Sequence, residues 1–126
     1  MTNKLVGRLS PELCRKHPGL IFVFGDNTIR KGKMGQACIR DCPNSFGVVT
    51  KKYPGWSDKD YLKDSHEDKE MVLNDLEELR ILSNKRVLVF PKDGLGTGLA
   101  DLKNRAPNLL YFINSYIKEH FDVEFN

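Results

Sequence analysis

The chain has 126 residues, 40% of them hydrophobic and 29% charged, and its 20 Lys and Arg exceed its 17 Asp and Glu to give a formal net charge of +3. That length suits one domain, expected over 1–126, with a core that needs no staples. The charge is too mild to imply nucleic-acid binding by itself. No apolar run is long enough to span a bilayer.

Met1–Arg8 lacks the apolar stretch of a signal peptide, so a cytoplasmic location is expected. The 3 cysteines, Cys14, Cys38 and Cys42, are an odd count and argue against a disulfide framework. Cys38 and Cys42 share a helical spacing, and with His17 they could be imagined on zinc. No fourth ligand stands at a zinc-site spacing, so buried thiols are the preferred reading. No metal and no cofactor is expected.

In chain order, Lys4 to Leu9 reads as a short strand and Pro11 to Lys16 as a helical turn with Pro near its start. Leu20-Ile21-Phe22-Val23-Phe24 is a continuous apolar run between Pro18-Gly19 and Gly25-Asp26-Asn27, which predicts a buried strand. Gly35 to Asp41 reads as a short helix stopped by Pro43. Phe46 to Thr50 is the next strand, and Tyr53-Pro54-Gly55-Trp56-Ser57 has turn chemistry. Asp58 to Asp64 is polar and irregular.

The second half is more regular. Val72, Leu73, Leu76, Leu79 and Leu82 repeat at helical spacing, which predicts a helix from His66 to Leu82 with Ser65 and Asp68 at its start. Arg86 to Phe90 is a buried strand. Pro107 opens a last helix that runs to Glu119, with Leu109, Phe112, Ile113, Tyr116 and Ile117 as its core stripe. Phe121 to Phe125 alternates and reads as a closing edge strand. The order predicts a compact α/β domain with helices on both sheet faces, and the buried run from Leu20 to Phe24 fits the interior of a parallel or mixed sheet.

Two glycine-rich loops follow strands. The first is Gly25-Asp26-Asn27, leading to Gly32 and Gly35 around Lys33 and Met34; the second is Gly94-Leu95-Gly96-Thr97-Gly98-Leu99. Such loops let backbone N–H groups approach a phosphate closely. Neither loop is a Walker or dinucleotide fingerprint. Two readings stand for the second: a tight turn, or a phosphate cradle to which Thr97 adds a hydroxyl.

Asp26 and Asn27, at a strand's carboxyl end, either cap the following turn or contact an adenine or ribose. Thr50-Lys51-Lys52 also ends a strand. Lys51 is either solvated or poised near an anion, where desolvation would make it a nucleophile. Tyr53, Trp56 and Tyr61 can stack on a base or cover the core. His17, His66 and His120 have no nucleophile signal near them.

From Ile21 to the C-terminus the chain resembles a macrodomain, the α/β module that binds ADP-ribose and its derivatives. The pattern is similar to the branch of terminal ADP-ribose protein glycohydrolases and O-acetyl-ADP-ribose deacylases. The residues that carry the likeness are Phe24-Gly25-Asp26-Asn27, Lys33-Met34-Gly35-Gln36-Ala37, Val48-Val49-Thr50-Lys51-Lys52, the long helix, the strand ending in Pro91, and Gly96-Thr97-Gly98-Leu99. The resemblance implies a three-layer sandwich with a mixed sheet and helices on both faces, and an ADP-ribose-type ligand, free or protein-attached, with no membrane partner. Nucleic acid is not the expected partner, a modified nucleic-acid end apart.

The likeness also implies catalytic roles for Lys51 and for an aspartate in the glycine loop. The acidic slot holds Ala100, and Asp101 comes one residue later. With Asp101 in the site the chain would hydrolyse an ADP-ribosyl ester or ADP-ribose phosphate. Without it the chain would bind and not turn over, reading or sequestering a nucleotide signal such as a cyclic ADP-ribose. The remaining alternative is a structural or interaction domain without nucleotide affinity.

Overall fold

Ile21–Asn27 forms a strand because its apolar run alternates between two cores. Ile21 and Val23 enter one, and Phe22 and Phe24 enter the other. The computed structural model describes residues 2–125; Met1 and Asn126, the ends of the expected 1–126 domain, lie outside the described residues. Four strands, β1 (Lys4–Val6), β2 (Ile21–Asn27), β3 (Ser45–Lys51) and β4 (Leu88–Pro91), form one sheet in the order β1-β4-β2-β3.

Every strand pair among the described residues is parallel, which settles the parallel or mixed alternative and corrects the mixed sheet of the macrodomain-like expectation. The cause lies in the connections. The chain returns over a sheet face between successive strands, through α1 (Pro11–Lys16), a 3-10 turn (Gly35–Ile39) and α2 (His66–Leu82). Such crossovers lay the next strand parallel.

The larger core packs α2 and the last helix, α4 (Pro107–Phe121), on one sheet face through Val72, Leu76, Leu79, Leu109, Ile113 and Ile117. The smaller core sits on the other face, where Leu9, Cys14, Ala37 and Ile39 meet Phe22, Phe24 and Val89. Cys38 and Cys42 pack half-buried against it.

Helix starts follow their capping residues. Ser10 Oγ accepts from Leu13 N at the head of α1, and Ser65 Oγ accepts from Asp68 N at the head of α2. A short helix, α3 (Leu102–Arg105), precedes α4, whose first turn carries Pro107.

The C-terminal end is a second correction. Phe121 to Phe125 do not form a strand: α4 runs to Phe121, and Asp122 closes it in the left-handed region at φ 56°. The alternation arises because Phe121 and Val123 are buried in the core while Asp122 and Glu124 are exposed. Phe125 packs on Phe90, with ring centroids 5.9 Å apart. Burial on one side of an irregular segment mimics a strand's period. Among the described residues, no helix is long and apolar enough to cross a membrane.

Candidate functional site

The carboxyl ends of β2 and β3 and the loop after β4 surround a cleft of about 380 Å³. That is the edge of an open α/β sheet where ligands characteristically bind. Gly25, Asp26 and Asn27 line it from β2, and Thr50 and Lys51 line it from β3. Gly32 and Met34 to Ala37 contribute one loop; Gly96, Gly98, Leu99 and Ala100 contribute the other. Pro54, Gly55 and Trp56 complete the lining.

Small residues let these segments converge. A Cβ on Gly25 would lie 2.9 Å from Thr50 Oγ1 and 3.5 Å from Gly96 N. Gly96 has φ +77°, a left-handed conformation that side chains rarely adopt. Gln36 ties the two loops together. Its Oε1 accepts from Gly25 N at 2.8 Å, and its Nε2 donates to Gly94 O at 3.0 Å.

The backbone polarity of the loops is one-sided. Among the described residues, none accepts a hydrogen bond from the N–H groups of Leu95 through Ala100, although Leu95, Gly96 and Ala100 are buried. The N–H groups of Gly32 through Gln36 also have no protein acceptor, the last of these at the start of the 3-10 turn, but Gly32 to Gly35 are exposed and open to water. The loop carbonyls are better used: Gly94 O accepts from Gln36, Gly96 O from Leu102 N, and Gly98 O from Asp101 N. Buried N–H groups normally find partners. Two runs of N–H groups without protein acceptors beside one cleft are a donor set of the kind an anion can use.

Asp26 does not add a free negative charge. Its buried carboxylate accepts from Arg40 Nη1 at 3.0 Å and Nη2 at 2.6 Å, from Arg30 Nη1 at 3.3 Å and from Asn27 N at 2.8 Å. Arg30 also grips both oxygens of Asp75, at 2.9 Å each, and Asp75 accepts from Val49 N on β3. Burial works against the charge on Arg30, but Asp75 and Asp26 outweigh it and raise its pKa. Asn27 serves the loop itself: its amide donates to Lys31 O at 2.8 Å and accepts from Lys31 N at 3.4 Å.

Lys51 is buried although it ends a strand. Its Nζ donates to Tyr53 O at 2.8 Å and to Gly55 O. It lies 4.6 Å from the Tyr61 ring centroid and 5.4 Å from that of Trp56. Burial lowers its pKa from the ordinary lysine value; Asp60 opposes the shift and Arg105 adds to it.

Of the residues singled out in the sequence, the cleft gathers Lys51, Gly25, Asp26, Asn27, Gly32, Met34, Gly35, Thr50, Gly96, Gly98 and Leu99. Gly94, Leu95 and Thr97 belong to the same loop but do not line the cleft. Asp101 also stands outside the lining, while Ala100 is part of it. The Asp101 carboxylate accepts from Asn104 Nδ2 at 2.8 Å and lies 4.0 Å from Arg105 Nε.

Arg30, Arg40, Asp75 and the bridging role of Gln36 were missed by sequence reasoning. Gln36 had a usable signal, its place directly after Met34-Gly35 at a helix start. Arg40 and Asp75 had none, because their partners are 14 and 26 or more residues away.

The fold and cleft thus define an α/β domain with a parallel sheet and a donor-rich cleft at its strand ends. The chain belongs to the family described as a family of unknown function, DUF7831, whose model matches residues 4–116. No curated protein and no solved structure matches the chain.

Proposed function

We propose that this protein is a macrodomain-like module that binds ADP-ribose or a related ADP-ribosyl nucleotide. The observation that carries the reading is the pair of N–H runs without protein acceptors, Gly32–Gln36 and Leu95–Ala100, most of whose members, Lys33, Leu95 and Thr97 apart, line one cleft. A diphosphate supplies many acceptor oxygens for such donors at once. The cleft volume of about 380 Å³ falls within the range of small-molecule sites. Exposed Trp56 offers an aromatic face to a base at the cleft's edge.

Binding without turnover is favoured over hydrolysis. Lys51 is desolvated, as an amine nucleophile should be, but its ammonium is engaged by two carbonyls. Asp101 is turned to Asn104 and Arg105, and Ala100 lines the cleft instead.

Calorimetric titration with ADP-ribose tests the reading. Micromolar binding that is lost with adenosine, which lacks the diphosphate, is the expected result. No heat with ADP-ribose in excess at two temperatures would overturn it. Hydrolysis of an ADP-ribosyl ester, abolished in Lys51→Ala, would instead favour the enzymatic alternative.

A further inference from the structure

We propose that Lys51 is a positioning residue, whose ammonium latches the loop of residues 53–60 over the cleft and so sets where Trp56 stands. Most of the loop's own ties lie at its base and far side; at the apex a single tight turn, Gly55 N donating to Tyr53 O at 2.9 Å, is internal to the loop and does not join it to the sheet. Lys52 N and Tyr53 N both donate to Asp60 O, at 3.0 and 3.1 Å, and Ser57 N donates to Asp60 Oδ2 at 2.9 Å. The apex is held differently. Tyr53 O and Gly55 O both accept from Lys51 Nζ, and Trp56 and Tyr61 present their rings to the same ammonium.

One compact cation therefore joins two carbonyls and two rings. Two of the ammonium's three donors serve the carbonyls, and its charge attracts both ring faces without a donor for each. Trp56 is 65% exposed, so core packing does little to fix it. A second tie closes the loop's far end: Arg105 pairs with Asp58 at 2.7 Å and lies 4.0 Å from the Tyr61 ring centroid. The latch makes the aromatic wall a preorganised part of the cleft.

Trp56 is the chain's 1 tryptophan, so its fluorescence reports the loop without a ligand. Time-resolved anisotropy of the wild-type protein should decay mainly with overall tumbling. In Lys51→Met, which keeps the stem and loses the donors, a fast local component should grow; in Lys51→Arg it should stay small. Equal fast components in wild type and Lys51→Met would overturn the latch. Should Lys51→Met fail to fold, a dominant subnanosecond component in the wild type would overturn it by itself.

The effect on ligand rests on the nucleotide reading above. ADP-ribose should bind Lys51→Met about tenfold more weakly, as loss of a partly desolvated cation–π contact implies, and Lys51→Arg nearly as well as wild type. Wild-type protein that ignores ADP-ribose would overturn the nucleotide reading, and the anisotropy would still decide the latch.

Discussion

Replacing Gly96 by Ala should destabilise the fold far more than the same change two residues later. Gly96 has φ +77°, where a side chain costs about 1–2 kcal/mol. The added methyl would also overlap the Leu102 side chain, lying 2.8 Å from its Cγ, and stand 3.2 Å from Thr50 Cβ. Leu102 is fully buried, so it has no empty space to move into. Overpacking of this kind costs about 1–3 kcal/mol. The two effects together give roughly 2–4 kcal/mol, since relaxation at one site relieves part of the other. At Gly98 an added Cβ meets nothing within 4 Å, and no left-handed φ is required. Gly98→Ala should therefore stay within about 0.5 kcal/mol of wild type. Urea denaturation separates the two: the Gly96→Ala midpoint should fall by about 1–2 M at the slopes usual for small domains. Coincident midpoints for the two variants would refute the steric argument and place slack around Leu102.

Three further outcomes are expected. Arg40→Ala strips the two-pronged partner from the buried Asp26 carboxylate, leaving Arg30 at 3.3 Å as its remaining charged partner. It should cost about 2–4 kcal/mol, read as a fall in urea midpoint at neutral pH. Burial, with Cys42 and Cys38 beside it, pushes the Cys14 thiol from 9.0 up to about 12. An unfolded chain ionises this thiol first. Stability from the neutral thiol is thus full below pH 9.0 and is lost as pH rises toward about 12. Cys14→Ala should be less stable than wild type at neutral pH, and the gap should narrow through that alkaline window in urea titrations. Trp56→Ala should leave the urea midpoint unchanged, because the ring is 65% exposed, yet weaken ADP-ribose by the about 1–3 kcal/mol typical of base stacking. Unchanged calorimetric affinity would remove Trp56 from the site.

Local signals were legible wherever a residue's role depends on its near neighbours. The run Ile21 to Phe24 between glycine-bearing turns marks β2, and the stripe from Val72 to Leu79 marks α2. Ser65 marks the start of that helix through its own hydroxyl. The glycines also declared themselves, because Gly94 and Gly96 have the positive φ that glycine tolerates. What failed depends on distant partners. Phe121 to Phe125 has a strand's alternation, yet only the sheet edge could say whether a strand pairs there, and Phe125 packs on Phe90 instead. The parallel sense of the sheet follows from crossovers, not from any strand's own residues. Neither reading of Asp26, as a turn cap or as an acceptor for adenine or ribose, foresaw Arg40, which approaches from another loop.

That occupancy changes how the cleft handles charge. A bare carboxylate at the end of β2 would repel a diphosphate. Here Asp26 and Asp75 are matched by Arg30 and Arg40, so the four side chains sum to no net charge. The same network anchors β3, since Asp75 takes the Val49 N–H at 2.8 Å. The neutral base leaves the attraction for an anion to the backbone donors and to the lysines of the lining, Lys31 and the carbonyl-engaged Lys51. Backbone donors are fixed in place and need no side-chain ordering on binding, which lowers the entropic cost of capture. Affinity should accordingly depend on loop conformation more than on any single cation. On the proposed reading, the glycine that shapes the second loop, Gly96, and the lysine proposed to steady the aromatic wall, Lys51, would act on a diphosphate ligand chiefly through the geometry they impose.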